Sequence, residues 1–185
     1  MAGDRTLIGS AVVPIRFVFF MWLVFSVEFM LGVPLSNFGL QPRTMMGLIG
    51  IFSAPLLHGG IVHILSNTFP MLFLGMVLFY SYHRIANKVF LRCYFFTNIL
   101  VWIFARPANH IGASGLVYGL ASFLIFYGFF RKDFKSLFIS LIVLVLYGSI
   151  FYGVLPLNNY ISWESHLAGA VVGFFTARQY KKVKV

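Results

Sequence analysis

The fold is decided by an uncharged run at residues 114–130, which reads SGLVYGLASFLIFYGFF. A helix of this length comes close to the roughly 20 apolar residues that cross the hydrocarbon core of a bilayer. Similar runs recur on both sides of it, and the set predicts six spans, at residues 12–31, 61–80, 89–105, 114–130, 137–155 and 165–177. We therefore predict a single all-α membrane domain over residues 1–185, folded as a six-helix bundle.

The composition is that of a membrane protein. Of the 185 residues, 60% are hydrophobic and 10% are charged, whereas soluble domains carry about 25% charged residues. The four acidic residues, Asp4, Glu28, Asp133 and Glu164, are too few for a glycosidase pair, an EF-hand or a kinase metal site. A single cysteine, Cys93, excludes an internal disulfide, a CxxC pair and a cysteine zinc site. We expect neither a metal nor another cofactor.

The basic residues predict the orientation of the chain. The net charge of +10 is spread between apolar blocks, which favours a role in membrane topology over binding of nucleic acid. One side of the predicted bundle has twelve of the Lys and Arg residues: Arg5, Arg16, Arg84, Lys88, Arg92, Arg131, Lys132, Lys135, Arg178, Lys181, Lys182 and Lys184. The other side has Arg43 and Arg106. The positive-inside rule then predicts cytoplasmic termini, a short basic cytoplasmic tail at 178–185 and an outer, apolar connection at 32–60 that lies in the interface or packs on the bundle.

Five polar residues are candidates for a site, because polar groups inside a span are costly. His58, His63 and Asn67 lie at the outer start of the second span, Ser114 opens the fourth and His166 opens the sixth. Since these three spans all begin outside, we expect His63, Asn67, Ser114 and His166 at similar depth. A serine and a histidine so placed suggest a nucleophile and its general base.

The surroundings of Ser114 favour the same chemistry. Ser114 falls in the first helical turn, where unpaired N–H groups and the positive end of the helix dipole stabilise an oxyanion. Asn67 and His63 can each donate a hydrogen bond toward the same point. Tyr118, one turn below Ser114, can stack on His166. Pairs of glycines on the fourth and sixth spans permit the close approach that such a pair needs: Gly115, Gly119, Gly169 and Gly173.

Other proteolytic sites fit the sequence less well. A zinc protease needs HExxH, but no Glu lies between His58 and His63. An aspartyl protease of the membrane needs two Asp within spans, whereas Asp4 and Asp133 fall in cytoplasmic segments. Glu164 lies near His166 in sequence but points elsewhere on a helix. A two-residue Ser/His dyad is what the sequence leaves.

Taken together, these residues resemble the rhomboid intramembrane serine proteases. The resemblance rests on three motifs: His58-x4-His63-x3-Asn67, Gly112-Ala113-Ser114-Gly115 with Tyr118, and Ser165-His166-x2-Gly169-x3-Gly173. It covers residue 55 to the C-terminal helix and implies a rhomboid-like bundle of six transmembrane helices. It also implies hydrolysis of peptide bonds in or next to transmembrane segments of membrane proteins.

The resemblance further implies a role for each motif residue. Ser114 would be the nucleophile and His166 the base, while His63, Asn67 and the backbone N–H of Ser114 would form the oxyanion hole. The supporting residues would be Tyr118, Gly112, Gly115, Gly169 and Gly173. The sequence departs from the family at Ile49-Gly50, where many bacterial members have Trp-Arg, and at Ser165, where Ala is usual.

The predicted function is that of a serine endopeptidase in a bacterial inner membrane. Its partners would be transmembrane substrates, with small or helix-breaking residues near the outer face, and the lipid bilayer; no nucleic acid is expected. One alternative is a catalytically silent rhomboid-like protein that binds or escorts transmembrane clients. Another is a haem- or metal-binding bundle that uses His58, His63, His110 and His166.

Overall fold

The computed structural model describes residues 6–157 and 161–183. Asp4, Arg5 and Lys184, which belong to the charge pattern above, lie outside the described residues. Over the described residues the regular elements are seven α-helices, α1 (Leu7–Leu31), α2 (Gly47–Ser53), α3 (Ile61–Ser81), α4 (His83–Phe104), α5 (Ser114–Arg131), α6 (Phe134–Tyr147) and α7 (Trp163–Tyr180). Three short 3-10 segments occur at Leu35–Phe38, Ala54–Leu56 and Gly148–Val154. The predicted all-helical class is therefore confirmed.

Several helix bounds differ from the predicted spans; α1 begins at Leu7 rather than at residue 12, and α6 begins at Phe134 rather than at residue 137. Helix α4 begins at His83 rather than at residue 89, because its first turns carry charged residues that an apolar-run criterion excludes. Helix α6 ends at Tyr147, and the predicted span continues as the 3-10 segment Gly148–Val154, which we call the cap segment. Helix α7 begins at Trp163, which leaves Ser165 and His166 in its first turn.

Only part of the predicted set of six spans is supported by length and composition. Among the described helices α1, α3 and α5 are long and apolar enough to cross a membrane, whereas α6 is apolar but shorter. Helices α4 and α7 carry charged residues near their ends, which lowers their mean hydropathy. The chain is a multi-pass membrane protein, and the number of six spans stays a prediction.

Helix α5 lies at the centre of the bundle. Its apolar window is 72% buried, against 28% for α1, and Leu120, Phe123, Leu124 and Tyr127 on α5 are fully buried. Its neighbours are α3, α4, α6 and α7. A residue at the N-terminal end of α5 can therefore be reached from several helices at once.

Helices α5 and α7 approach so closely that their contact requires glycine. A Cβ atom on Gly169 would overlap the carbonyl of Gly115, and one on Gly173 would overlap the carbonyl of Gly119. Even alanine would force the two backbones apart at these positions. The glycine pairs singled out from the sequence thus face each other across this contact.

The connection at 32–60 packs on the bundle through α2. The side-chain amide of Asn98 on α4 donates to the carbonyl of Ile51 at 3.1 Å. Gly50 lies directly against the backbone of Leu40, where a Cβ atom would collide with main-chain atoms. The glycine at position 50, one of the departures from the rhomboid pattern, is therefore required by local packing.

The predicted orientation can be tested by cysteine labelling in intact cells. Arg43 is a poor reporter position because its guanidinium donates to two carbonyls at the end of α4. Asn37 is exposed in the 32–60 connection, and Lys182 is exposed at the other end of the bundle. We expect Asn37→Cys to react with an impermeant maleimide, and Lys182→Cys to react only after permeabilisation. Because Cys93 is buried, the wild type should not react and serves as the control. Labelling of Lys182→Cys but not of Asn37→Cys in intact cells would overturn the orientation.

Candidate active site

Ser114 and His166 meet at the N-terminal ends of two helices. The Ser114 Oγ and the His166 Nε2 are 2.9 Å apart, and the close contact of α5 with α7 makes this distance possible. The ring of Tyr118 stacks on the imidazole, with centroids 4.0 Å apart and planes 8° from parallel. The structure therefore brings together the three residues that the sequence assigned to a nucleophile, a base and its support.

The hydrogen bond at the other ring nitrogen of His166 fixes the tautomer of the imidazole. Nδ1 lies 2.9 Å from the carbonyl oxygen of Gly153 in the cap segment. A carbonyl can only accept, so Nδ1 carries the proton, and a neutral imidazole has one N–H. The lone pair of Nε2 therefore faces the Ser114 hydroxyl, which is the arrangement a general base requires. Sequence reasoning missed Gly153, because a partner that acts through its backbone leaves no side-chain signature.

Within the described residues, no carboxylate hydrogen-bonds to His166 as the Gly153 carbonyl does. Glu164 forms an ion pair with Arg106, with Oε1 and Nε 3.3 Å apart. Among the described residues, the imidazole of His166 hydrogen-bonds to Ser114 and Gly153. The geometry is thus that of a Ser/His pair oriented by a backbone carbonyl.

Asn67 and His63 lie on α3 beside the same pair. The Asn67 side chain is buried, and one amide hydrogen goes to the carbonyl of His63 through a 2.8 Å bond. The amide has a second hydrogen, which stays available to a ligand. The His63 ring makes no hydrogen bond to the described residues and lines the same cavity as Ser114. The backbone N–H of Ser114, the first residue of α5, has no partner within its helix.

Gly112 is required by the approach of His63. Its φ of +109° is a conformation that L residues rarely adopt. A Cβ atom there would lie 2.5 Å from the Nε2 of His63. The N–H of Gly112 donates to the carbonyl of Ala54 at 2.8 Å. These constraints fix the loop that leads into Ser114.

His58 supports that loop from outside the cavity. Its Nε2 accepts a hydrogen bond from the N–H of Ala113 at 3.4 Å, and its Nδ1 lies 3.3 Å from the carbonyl of Leu56. Burial, together with the charge of His63, lowers the pKa of His58 to about 4. The ring is therefore neutral at pH 7, as accepting a hydrogen bond at Nε2 demands.

A cavity of about 980 Å³ opens in front of the pair. It lies between α3, the end of α6, the cap segment and the starts of α5 and α7. Both polar and apolar side chains line it, and the apolar ones include Val62, Pro70, Val117, Leu146 and Ile161. Its volume lies within the range of pockets that hold small ligands or cofactors.

The four histidines of the metal alternative do not converge. Both ring nitrogens of His58, His110 and His166 already make hydrogen bonds within the protein. Over residues 6–157 and 161–183, no group of three or more His, Cys, Asp or Glu side chains is arranged to hold a metal ion. Burial lowers the pKa of His110, which keeps this ring neutral as well.

Comparisons with known proteins agree with the motifs. The profile of one protein family, described as the Rhomboid domain, matches residues 46–182. An uncharacterized protein of Mycobacterium tuberculosis is 31% identical over 190 residues, covering 94% of this chain and 75% of that protein. One from Mycobacterium leprae is 30% identical, covering 94% and 72%. RHOMBOID-like protein 4 of Arabidopsis thaliana is 33% identical over 130 residues, which cover 67% of this chain and 32% of that protein.

Gly153→Ala tests whether the cap segment orients His166. The added methyl would lie 3.2 Å from the His166 Nδ1 and 3.0 Å from the Tyr118 Cζ, and closer still to the Tyr118 hydroxyl. Either the cap segment or the stacked rings must move, and a displacement of about 1 Å at such a pair can reduce its reactivity by about 10²-fold. We expect slower labelling of Ser114 by a fluorophosphonate probe.

The matched control is Gly148→Ala at the start of the cap segment. A Cβ atom there meets a Leu144 side-chain atom at an ordinary 3.5 Å, so this variant should label like the wild type. Equal labelling of both variants would show that the Gly153 carbonyl does not hold the imidazole.

Proposed function

The chain belongs to the rhomboid family, and we propose that it is an intramembrane serine endopeptidase that cleaves transmembrane proteins. The observation that carries this proposal is the 2.9 Å contact between the Ser114 Oγ and the His166 Nε2, with Nδ1 held by a carbonyl. A serine in this position is a nucleophile with its base already aligned. A catalytically silent member of the family would not need Ser114 aligned with His166.

The first half of the reaction forms an acyl-enzyme. Ser114 Oγ attacks the carbonyl carbon of the scissile bond while His166 Nε2 takes the hydroxyl proton. Negative charge then develops on the carbonyl oxygen, toward which Asn67, His63 and the N–H of Ser114 each donate a hydrogen bond. The tetrahedral intermediate collapses as His166 gives its proton to the leaving amine, and the C–N bond breaks.

The second half releases the other fragment. A water molecule loses a proton to His166 Nε2 and attacks the ester carbonyl, and the same oxyanion donors act again. His166 then returns the proton to the Ser114 Oγ as the ester bond breaks. Throughout both halves the proton stays on Nδ1 and is hydrogen-bonded to the Gly153 carbonyl, which stabilises the imidazolium that forms in each half.

The substrates follow from where the site lies. A peptide bond in a membrane helix is hidden by its own hydrogen bonds, so it becomes available only where the helix unwinds. The cavity lies beside α3 and the start of the cap segment and offers polar groups to an unwound backbone. We expect substrates with small or helix-breaking residues near the outer face of a bacterial inner membrane, with both termini of the protease in the cytoplasm.

Replacing either member of the pair should abolish cleavage. Ser114→Ala removes the nucleophile and His166→Ala removes the base, and because the two act as a unit each variant should lose turnover. The measurement is cleavage of a model transmembrane substrate in proteoliposomes, with fluorophosphonate labelling of Ser114 in parallel. Cleavage by Ser114→Ala would overturn the proposed function. An inert wild type that still binds the substrate would instead favour the silent alternative.

Asn67→Ala should reduce turnover without abolishing it. Loss of one oxyanion donor costs about 10²–10³ in kcat, and the loss should fall on kcat more than on KM. Ser66→Ala is the matched control, because the Ser66 hydroxyl donates at 2.7 Å to the same His63 carbonyl that Asn67 contacts. Thermal unfolding of both variants separates stability from chemistry. Full kcat in Asn67→Ala would leave the pair intact but remove Asn67 from the oxyanion hole.

A further inference from the structure

A second chain of polar side chains lies at the start of α7, beside the Ser114–His166 pair. His110 Nδ1 is 2.6 Å from Ser162 Oγ, and Ser162 Oγ is 2.6 Å from Ser165 Oγ. The other nitrogen of His110 lies 3.1 Å from the carbonyl of Arg106. His110 is buried, with 3% of its surface exposed. The reaction described above uses none of these side chains.

The hydrogen atoms of this chain can be assigned from its ends. The Arg106 carbonyl can only accept, so the Nε2 of His110 carries the proton, and the Nδ1 of the neutral ring must accept. The Ser162 hydroxyl therefore donates to Nδ1, and its oxygen accepts from the hydroxyl of Ser165. The hydrogen bonds of the chain all run in one direction, from Ser165 through Ser162 and His110 to the Arg106 carbonyl.

Ser162 forms this chain instead of capping its own helix. A serine at the N-cap of a helix usually accepts a hydrogen bond from a backbone N–H two or three residues ahead. Ser162 is the N-cap of α7 but makes no side-chain cap bond. Its hydroxyl crosses to another segment, and that contact joins the first turn of α7 to the loop before α5.

The two segments that meet here are the ones that carry the reacting residues. His110 lies in the loop that leads directly into Ser114, and Ser165 is adjacent to His166. The loop is itself fixed, since His110 exchanges two backbone hydrogen bonds of 2.9 Å with Leu40. The contact between His110 and Ser162 therefore ties the start of the helix that carries the base to a fixed part of the nucleophile segment.

We propose that His110 and Ser162 are positioning residues for His166, acting through the bond between His110 Nδ1 and Ser162 Oγ. This proposal rests on the proposed peptidase function. The glycine contact sets the spacing of α5 and α7 along their length, and the His110–Ser162 bond sets the start of α7, where a small rotation would carry the imidazole away from Ser114.

Two amide substitutions at one position separate this role from simple packing. The amide group of asparagine reaches the position of Nδ1, and that of glutamine reaches toward Nε2. His110→Asn can keep the bond to Ser162 and lose the bond to the Arg106 carbonyl, whereas His110→Gln does the reverse. We expect His110→Asn to retain most of the kcat. His110→Gln and Ser162→Ala should each lower kcat by up to about 10²-fold with KM unchanged.

The control is Asn98→Ala, which removes a buried hydrogen bond from α4 to the carbonyl of Ile51 on α2. It should lower the unfolding temperature but leave kcat per folded molecule unchanged. Each kcat is measured on the full-length protein in proteoliposomes, normalised to folded protein, and Ser162→Ala covers the case in which His110→Gln does not fold. Equal kcat in His110→Asn and His110→Gln, or full kcat in Ser162→Ala, would overturn the positioning role while the wild type still cleaves. Absence of Ser114-dependent cleavage by the wild type would overturn the proposed function together with this inference.

Discussion

The close contact of α5 with α7 is the constraint on which the rest of the structure depends. Gly169 and Gly173 place backbone atoms of α7 where any side chain would overlap the carbonyls of Gly115 and Gly119. Between membrane helices there is little hydrophobic driving force, so tight van der Waals packing of small residues supplies the association. Only at this spacing can a serine side chain and a histidine side chain, each in a first helical turn, reach each other directly.

The polar groups of the site are held largely by backbone carbonyls. Gly153 holds His166, Leu56 holds His58, and Arg106 holds His110, each through one ring nitrogen. A carbonyl partner fixes a tautomer without adding a charge to an apolar interior, where an unpaired ionised group would be costly. A chain with so few acidic residues can therefore orient its imidazoles without a carboxylate.

The sequence predicted the helical elements, and which polar side chains lie close together, better than it predicted the contacts around those side chains. Ser114, His166, Tyr118, Asn67 and His63 stood out because a polar side chain within an apolar run is unusual, and the structure brings them to one cavity. The predicted end of α6 was wrong, because the apolar run continues after the α-helix changes to the 3-10 cap segment. The contacts of Gly153 with His166 and of Ser162 with His110 join segments that lie 13 and 52 residues apart, which no local pattern encodes. Ser165 gave a partial indication of the polar chain at the start of α7, because it is a polar residue where the family usually has alanine.

The site lies at the N-terminal ends of two helices, and this position allows polar groups to lie within an apolar surrounding. The first turn of a helix has N–H groups that no residue of the same helix can satisfy, and in a bilayer such groups need partners. Ser114 and His166 both occupy first turns, so the backbone around them is polar without cost to the interior of either helix. At this end of the bundle Gly112, His110 and Ala113 each hydrogen-bond to the connection at 32–60, and the cap segment contacts His166. The proposed chemistry thus lies in a polar cluster at one end of helices that expose many large apolar side chains.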